Sequence, residues 1–505
     1  MKDVVLTIVE EDWERLNRWL LQADGKERQC FLDMGLNKAG EGLELLVHRV
    51  LPIPDEDYSL QTRYFVKPKE NAVLSAYASF SSSGTLVHGH VHSHPFSQDA
   101  SFSSVDVKCR RSAVRGLSDL VHLQGLHGET MFFQWVMGLN PSGSEGILCN
   151  LKGEEAGRLK GIRVVGRKGI KHFGKMKGLD PAFLAGDERL ERNIRWLGVK
   201  GQERLQETHL AICGAGGVGA LLAANVKGLG FGEITIIDPD RVEESNLNRL
   251  DGAGIADIEA FKVDVLKREI RRVRPETKVN ALPLGVEDPE AQEVLQGADL
   301  IVGALDGMSP RLELQVLAAR FLKPLFDLGS GISVAGDGSI KRMGSQIITY
   351  LPGGPCLACQ GMDIFRPTSG LSADIRKRTG YVAGSDFTPT SVVTINSVVA
   401  GWAVDQILKY LTGLKEIPLF TSIDQWNGQI EVLSFEKKSP CGLCGDSGIE
   451  GKGESPAVLL ACHDFGEDLT IEAFTKDCEA PSESCPHEPK FQRQRDDLSM
   501  KTQNK

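Results

Sequence analysis

No stretch in these 505 residues approaches the roughly 18 consecutive apolar residues of a membrane-spanning helix, which predicts no membrane partner. The N-terminus, MKDVVLTIVEEDW, lacks an apolar signal core because Asp3, Glu10 and Glu11 interrupt it; no export is expected, and the chain reads as cytoplasmic. Positive charge is not in excess either. With 58 Lys and Arg against 68 Asp and Glu the net charge is −10, which argues against nucleic acid as a partner. Internal repeats are absent. The eleven cysteines lack the even count of a disulfide framework, and four of them fall in two CxxC pairs, a pattern of metal ligands and free thiols. What is present, 41% hydrophobic and 25% charged residues, is ordinary for soluble globular protein and enough for about three domains.

Composition divides the chain into four stretches. Residues 1–150 mix short helical and strand patterns around a His-rich segment. Residues 151–185, rich in Gly and Lys, suit a linker with one strand at IRVV. Residues 186–447 alternate apolar strands with helical patterns, which predicts parallel βαβ units in a mixed, doubly wound α/β sheet. Within them, TSVVTINSVVAGWAVDQILKYLTG reads as a long buried helix and IDQWNGQIEVLSF as a hairpin turning at Asn427–Gly428. Residues 448–505 drift into Gly, Ser, Glu and Asp, and the end of this extension has too few apolar residues to form a core; a partly disordered tail is expected.

HLAICGAGGVGALLAANVKGLGFGEITIIDPDRV is the most informative segment. A buried strand is followed by Gly214, Gly216, Gly217 and Gly219 and then by a helical pattern, an arrangement that brings backbone N–H groups to a phosphate at a helix N-terminus. A second strand ends at Asp238, placed to bind ribose hydroxyls. A dinucleotide fold would fit this much. The following residues add Asp240, Asn246, Arg249, Lys262 on a helix starting near Asp257, and Asp306 at the end of another strand. Cations for a triphosphate and a carboxylate for Mg²⁺ serve ATP chemistry and are not needed for hydride transfer.

These residues resemble the ThiF/MoeB family and the adenylation domains of ubiquitin-activating enzymes. GAGGVG, the DPDxVxxSNLNR stretch, Lys262 and Asp306 stand in the family's order, and ERLERNI is similar to its RYxRQI segment, with Asn193 in place of the usual Gln. The resemblance covers residues 186–447 and implies a Rossmann-like adenylation domain using ATP and Mg²⁺ on a Gly-Gly-ended ubiquitin-like or sulfur-carrier β-grasp protein. It also implies a homodimer through this domain, with Arg192 reaching the partner subunit's ATP. Many relatives carry a Cys in a loop after the first CxxC pair for a thioester with the tail; residues 360–440 here contain none, and Cys462, Cys478 and Cys485 are the remaining thiols nearby in sequence. That departure leans toward a sulfur carrier rather than a conjugating enzyme as the downstream partner.

Two further constellations point to zinc. Cys356 and Cys359 in PCLACQ, with Cys441 and Cys444 in CGLCG, make a closed four-thiolate set of the structural kind, provided the fold brings the pairs together across about 80 residues. In GHVHSHPFSQDASFSSVDV, strand alternation puts His92 and His94 on one face, with His88 and His90 as further ligands or supporting groups. Asp106 supplies a third ligand and leaves one position open, as in a catalytic site. HxHP followed by SxxD resembles the JAB/JAMM (MPN) metalloprotease motif, with a gap one residue longer than usual. That resemblance implies Glu27 as general base and Ser103 as oxyanion stabiliser. The combined expectation is a bifunctional enzyme that adenylates a β-grasp tail and hydrolyses (iso)peptide bonds at it. The alternatives are a sulfur-carrier activator for cofactor or amino-acid synthesis, a binding module with degenerate sites, and an NAD-dependent oxidoreductase.

Overall fold

The computed structural model describes residues 1–40, 42–124, 129–174, 187–334, 339–362 and 392–455. The first strand, β1 (Lys2–Val9), alternates so that Val4, Leu6 and Ile8 are fully buried. It is followed by α1 (Glu10–Leu20), which buries Trp13, Leu16 and Leu20 at helical spacing. Then come β2 (Gln29–Asn37), β3 (Leu43–Pro52), the small hairpin β4 (Tyr58–Gln61) and β5 (Val66–Pro68), α2 (Glu70–Ser83), β6 (Val87–Ser93) and α3 (Ser104–Gln124). The wall is completed by β7 (Met131–Met137), β8 (Glu145–Asn150), β9 (Glu155–Gly166) and β10 (Gly169–Gly174). Strands run in the order β1-β3-β2-β6-β7-β8-β9-β10, and β9 also pairs in parallel with β1 from Lys2 to Val9, which closes the sheet into a barrel with β10 attached to β9 outside the ring. The core inside includes Leu32, Phe133, Trp135, Leu148 and Val164.

Residues 155–174 lie in the span expected to be a linker. They form β9 and β10 instead, because β9 pairs edge to edge with β1 and buries both faces, Ile162 and Val164 in the barrel core and Val165 in the core of the second sheet. The expected IRVV strand is the inner part of β9.

The second sheet starts after α4 (Glu191–Glu207). It contains β11 (His209–Cys213), α5 (Gly217–Val226), β12 (Glu233–Ile237), α6 (Lys262–Val273), β13 (Lys278–Leu282), α7 (Pro289–Gln296), β14 (Leu300–Gly303), α8 (Met308–Arg320) and β15 (Leu325–Val334). It ends with β16 (Ile340–Tyr350), α9 (Val393–Thr412), β17 (Phe420–Asp424) and β18 (Gln429–Leu433). The order β13-β12-β11-β14-β15-β16-β17-β18 is parallel through β15 and antiparallel beyond it, a mixed sheet as expected. Chain order reverses between β11 and β14, the switch point where open α/β sheets bind ligands. The long helix and the hairpin both form: α9 buries Ile395, Val399, Ala403 and Ile407, and Asp424 pairs with Gln429 around a turn in which Gly428 takes φ 69°.

Barrel and sheet meet across a buried polar junction. Lys323, 2% exposed, donates to Glu44 at 3.2 Å, and Arg163 reaches Asp299 at 3.2 Å and Glu44 at 3.9 Å. Burial opposes the charge on Glu44, yet Lys323 and Arg163 hold its carboxyl below the usual range. The start of the C-terminal extension is ordered. Residues 449–455 form a strap between the two domains, in which Gly35 N–H donates to the Gly451 carbonyl at 3.1 Å and Glu454 N–H to the Leu36 carbonyl at 2.9 Å. On its other side, Gly451 and Gly453 N–H groups donate to the Ala319 and Arg320 carbonyls of α8. Cys462, Cys478 and Cys485 lie outside the described residues.

Candidate functional site

The glycine loop connects β11 to α5 at the switch point. Gly214 has φ 97°, and a side chain there would meet the Ala304 carbonyl; a Cβ on Gly217 would meet the Asn396 amide and, at 3.3 Å, Arg249 Cδ. Gly214, Gly217 and Gly219, whose Cβ would strike the Gly214 carbonyl, are therefore fixed by close packing, while Gly216 faces open space, and the loop stays thin enough for its N–H groups to face a ligand. Asp238 directly follows β12 and is buried. One of its carboxylate oxygens accepts Ala215 N–H at 2.6 Å and the other Asp240 N–H at 2.8 Å. Burial pushes its carboxyl above the usual range. Asp238 thus shapes the glycine loop, and each oxygen keeps a lone pair for a ribose hydroxyl.

Lys262 begins α6; the helix starts there and not near Asp257, where a separate 3₁₀ turn, Ile255–Asp257, ends. Its ammonium donates to Asp240 at 2.6 Å. Arg249 is partly buried, its stem against the glycine loop and its guanidinium donating to the Ser245 carbonyl at 2.7 Å. Asp306 follows β14, exposed, with no hydrogen bond or ion pair to its side chain among the described residues. Asn246 is used locally: its amide oxygen accepts Glu243 N–H and its amide nitrogen donates to the Ser245 hydroxyl. Arg192 is exposed on α4, before the break at Gly198 (φ 73°), and no ion pair ties it to the glycine loop among the described residues.

The two CxxC pairs meet. Cys356 and Cys441 sulfurs are 3.8 Å apart, Cys359 and Cys444 3.6 Å, and Cys441 and Cys444 3.7 Å. Four thiolates around zinc at about 2.3 Å put sulfurs about 3.8 Å apart, so the set fits a tetrahedral ion. Lys438 N–H points at the Cys359 sulfur, as a donor to a thiolate would.

In the barrel, β6 carries His92 and delivers His94 just past its end, while the first turn of α3 supplies Asp106. The ligand atoms of these three lie within 4.8 Å of one another. His92 Nε2 is 3.2 Å from Asp106 Oδ1, yet this buried nitrogen makes no hydrogen bond, an orphaned donor set that suits a cation between them. Ser103 precedes α3, donating its N–H to Asp106 Oδ2 at 2.7 Å and accepting Asp106 N–H on its hydroxyl at 3.3 Å. Burial raises the Asp106 carboxyl, but His92 and the Ser103 contacts outweigh it and hold it well below the carboxylate range. Glu27 sits 3.7 Å from His94 Nε2, and burial, with the charge of Asp106, pushes it up to about 8. His88 and His90 do not join the set: His88 faces Asp33 in the core at 3.4 Å, and His90 is held between Phe31 and Phe132.

Sequence reasoning missed Arg28. This residue, 1% exposed, pairs with Asp24 and Asp55 and fixes the backbone beside Glu27, with its N–H donating to the Ser93 hydroxyl. Only its adjacency to Glu27 marked it.

Residues 190–444 match the model of the ThiF family. The chain is 26% identical over 254 residues to the SAMP-activating enzyme E1 of Haloferax volcanii, covering 50% of this chain and 86% of that protein. It is 30% identical to the sulfur carrier protein adenylyltransferase of Thermus thermophilus, covering 51% of this chain and 92% of that protein. It is also 30% identical to the adenylyltransferase and sulfurtransferase UBA4 of Eremothecium gossypii, over 55% of this chain and 60% of that protein. The N-terminal barrel lies outside the matched family span.

Proposed function

We propose a function from one premise: this chain belongs to the ThiF family. The chain adenylates the C-terminal glycine of a β-grasp protein with ATP, and the sulfur-carrier version has the better support, since relatives named for that activity match over most of their length. A tail carboxylate oxygen attacks the α-phosphorus, the bond to the bridging oxygen breaks, and pyrophosphate leaves with that electron pair. Lys262 and Arg249 neutralise charge on the phosphates, the glycine-loop N–H groups orient them, and Asp306 holds Mg²⁺. The single observation behind this reading is the grouping of Lys262, Arg249 and Asp306, which has no side-chain partner among the described residues, with a glycine loop in which Gly214, Gly217 and Gly219 have no room for a side chain. Its test is ATP–pyrophosphate exchange with a Gly-Gly-ended β-grasp protein. Wild-type chain should exchange and Lys262→Ala should not; exchange at equal rates in both would refute the reading.

The same proposal includes a homodimer in which Arg192 serves the partner's nucleotide, and a structural zinc on Cys356, Cys359, Cys441 and Cys444. The missing Cys between residues 360 and 440 favours release of the adenylate to a sulfur donor over passage to a conjugating enzyme.

A second reading concerns the barrel, and the convergence of His92, His94, Asp106 and Glu27 supports it. His92, His94 and Asp106 would hold a zinc ion, which when bound polarises a carbonyl and acidifies water. Glu27 takes a proton from the attacking water and delivers it to the leaving amide nitrogen, and Ser103 steadies Asp106 while its hydroxyl proton faces the oxyanion. The substrate is an amide or precursor peptide at the β-grasp tail, so one half makes a bond from the carboxylate that the other half frees.

A further inference from the structure

The loop carrying Asp306 is held from behind by a residue no motif reading assigned. Residues 304–307 connect β14 to α8. Ala304 N–H donates to the Cys213 carbonyl at 2.7 Å, which fixes the start of the loop against the glycine turn. Next comes Leu305, whose carbonyl oxygen accepts two bonds from the guanidinium of Arg311, from Nε at 3.1 Å and Nη2 at 2.5 Å. The remaining guanidinium nitrogen, Nη1, pairs with Asp327 on β15. Arg311 is 3% exposed and Asp327 1%. One planar group therefore spans from the sheet to the carbonyl immediately before Asp306.

Burying such a pair is expensive, and a packed apolar pair of the same volume would serve the core as well or better. What an apolar pair lacks is a grip on the Leu305 carbonyl. Asp306 itself is exposed, without a side-chain partner among the described residues, and followed by Gly307, so nothing else described restrains its carboxylate. We infer that Arg311, anchored by Asp327, is a positioning residue that sets the Asp306 carboxylate for the magnesium–triphosphate. A lysine does not replace it, because a single ammonium lacks the fork that bonds Asp327 and the Leu305 carbonyl together.

This inference rests on the proposed role of Asp306, and the experiment separates the two. In nucleotide-free full-length chain, Arg311→Lys should speed hydrogen exchange of the Asp306 and Gly307 amides. In ATP–pyrophosphate exchange it should lower kcat by about 10- to 100-fold and raise the Mg²⁺ concentration for half-maximal rate, with KM for ATP little changed. The double variant Arg311→Met with Asp327→Leu removes the buried charges together, so it should fold at least as stably as wild type and still show the raised Mg²⁺ requirement. Wild-type Mg²⁺ dependence and unaltered amide exchange in a folded double variant would overturn the inference while leaving the adenylation reading in place. Wild-type exchange activity in Asp306→Asn would instead sink the reading of Asp306, and the inference with it.

Discussion

Gly35 tests whether the strap at residues 449–455 fastens the two domains. Gly35 sits in β2 with ordinary extended backbone, so Gly35→Ala alone should favour the strand by about 0.5–1 kcal/mol. The added Cβ, however, would lie 2.6 Å from the Lys452 carbonyl oxygen and closer still to that of Gly451. Both neighbours are backbone and have no rotamer to escape into. The strap must lift, breaking the bonds between Gly35 and Gly451, Leu36 and Glu454, and Ala319 and Gly451, and those of Gly453 with Arg320. At about 1 kcal/mol each, partly replaced by water, the net loss is about 2–4 kcal/mol. Urea unfolding of the full chain should show a lower midpoint for Gly35→Ala, and hydrogen exchange should quicken at residues 449–455. Gly331→Ala, where a Cβ meets nothing within 4 Å, is the matched control and should be neutral or better. A midpoint for Gly35→Ala at or above wild type would refute the fastening role.

Other outcomes follow from the sites. Lys262→Ala should reduce exchange by about 100- to 1,000-fold, as loss of a charge on the transferring phosphate does, while circular dichroism stays unchanged. His92→Ala should lose the zinc of the barrel, and any amidase activity, yet retain the zinc of the thiolates when metal content is measured. Cys356→Ser or Cys441→Ser should lower the melting temperature, because the loop joining β18 to the strap loses its anchor. Acid titration provides a fourth check: Asp187, lowered to about 2 by hydrogen bonds from Arg189 and Arg274 against partial burial, contributes stability that is complete above its unfolded value near 4. That contribution should disappear as pH falls through about 2, and Asp187→Asn should flatten this part of the stability curve.

The candidate nucleotide site was legible because its chemistry is local: Gly214 to Gly219 and Asp238 follow strand ends, and Lys262 begins a helix, that an alternating βα pattern already places at one edge. The candidate metal sets were legible from residue type, His92 with His94 and Cys356 with Cys359, although their meeting with Asp106 and with Cys441 and Cys444 depends on the fold. Less visible was the closure of the barrel. A Gly- and Lys-rich span reads as linker until β1 is known to need a strand along its edge, which β9 supplies while Ile162 and Val164 join Val4, Leu6 and Ile8 in one core. The strap was hidden for a similar reason. GIEGKGES has no apolar periodicity, and its order comes from backbone bonds to segments hundreds of residues away. Arg311 was not marked by any motif, and only the structure pairs it with Asp327.

The charges shared by Glu44, Lys323, Arg163 and Asp299 restrict how work passes between the halves. Swinging one half against the other would strand ions without water or counter-ion, so relative motion of the two is suppressed. On the proposed reading of both halves, a carrier that used both would pass between them by release and recapture, with the carrier doing the travelling.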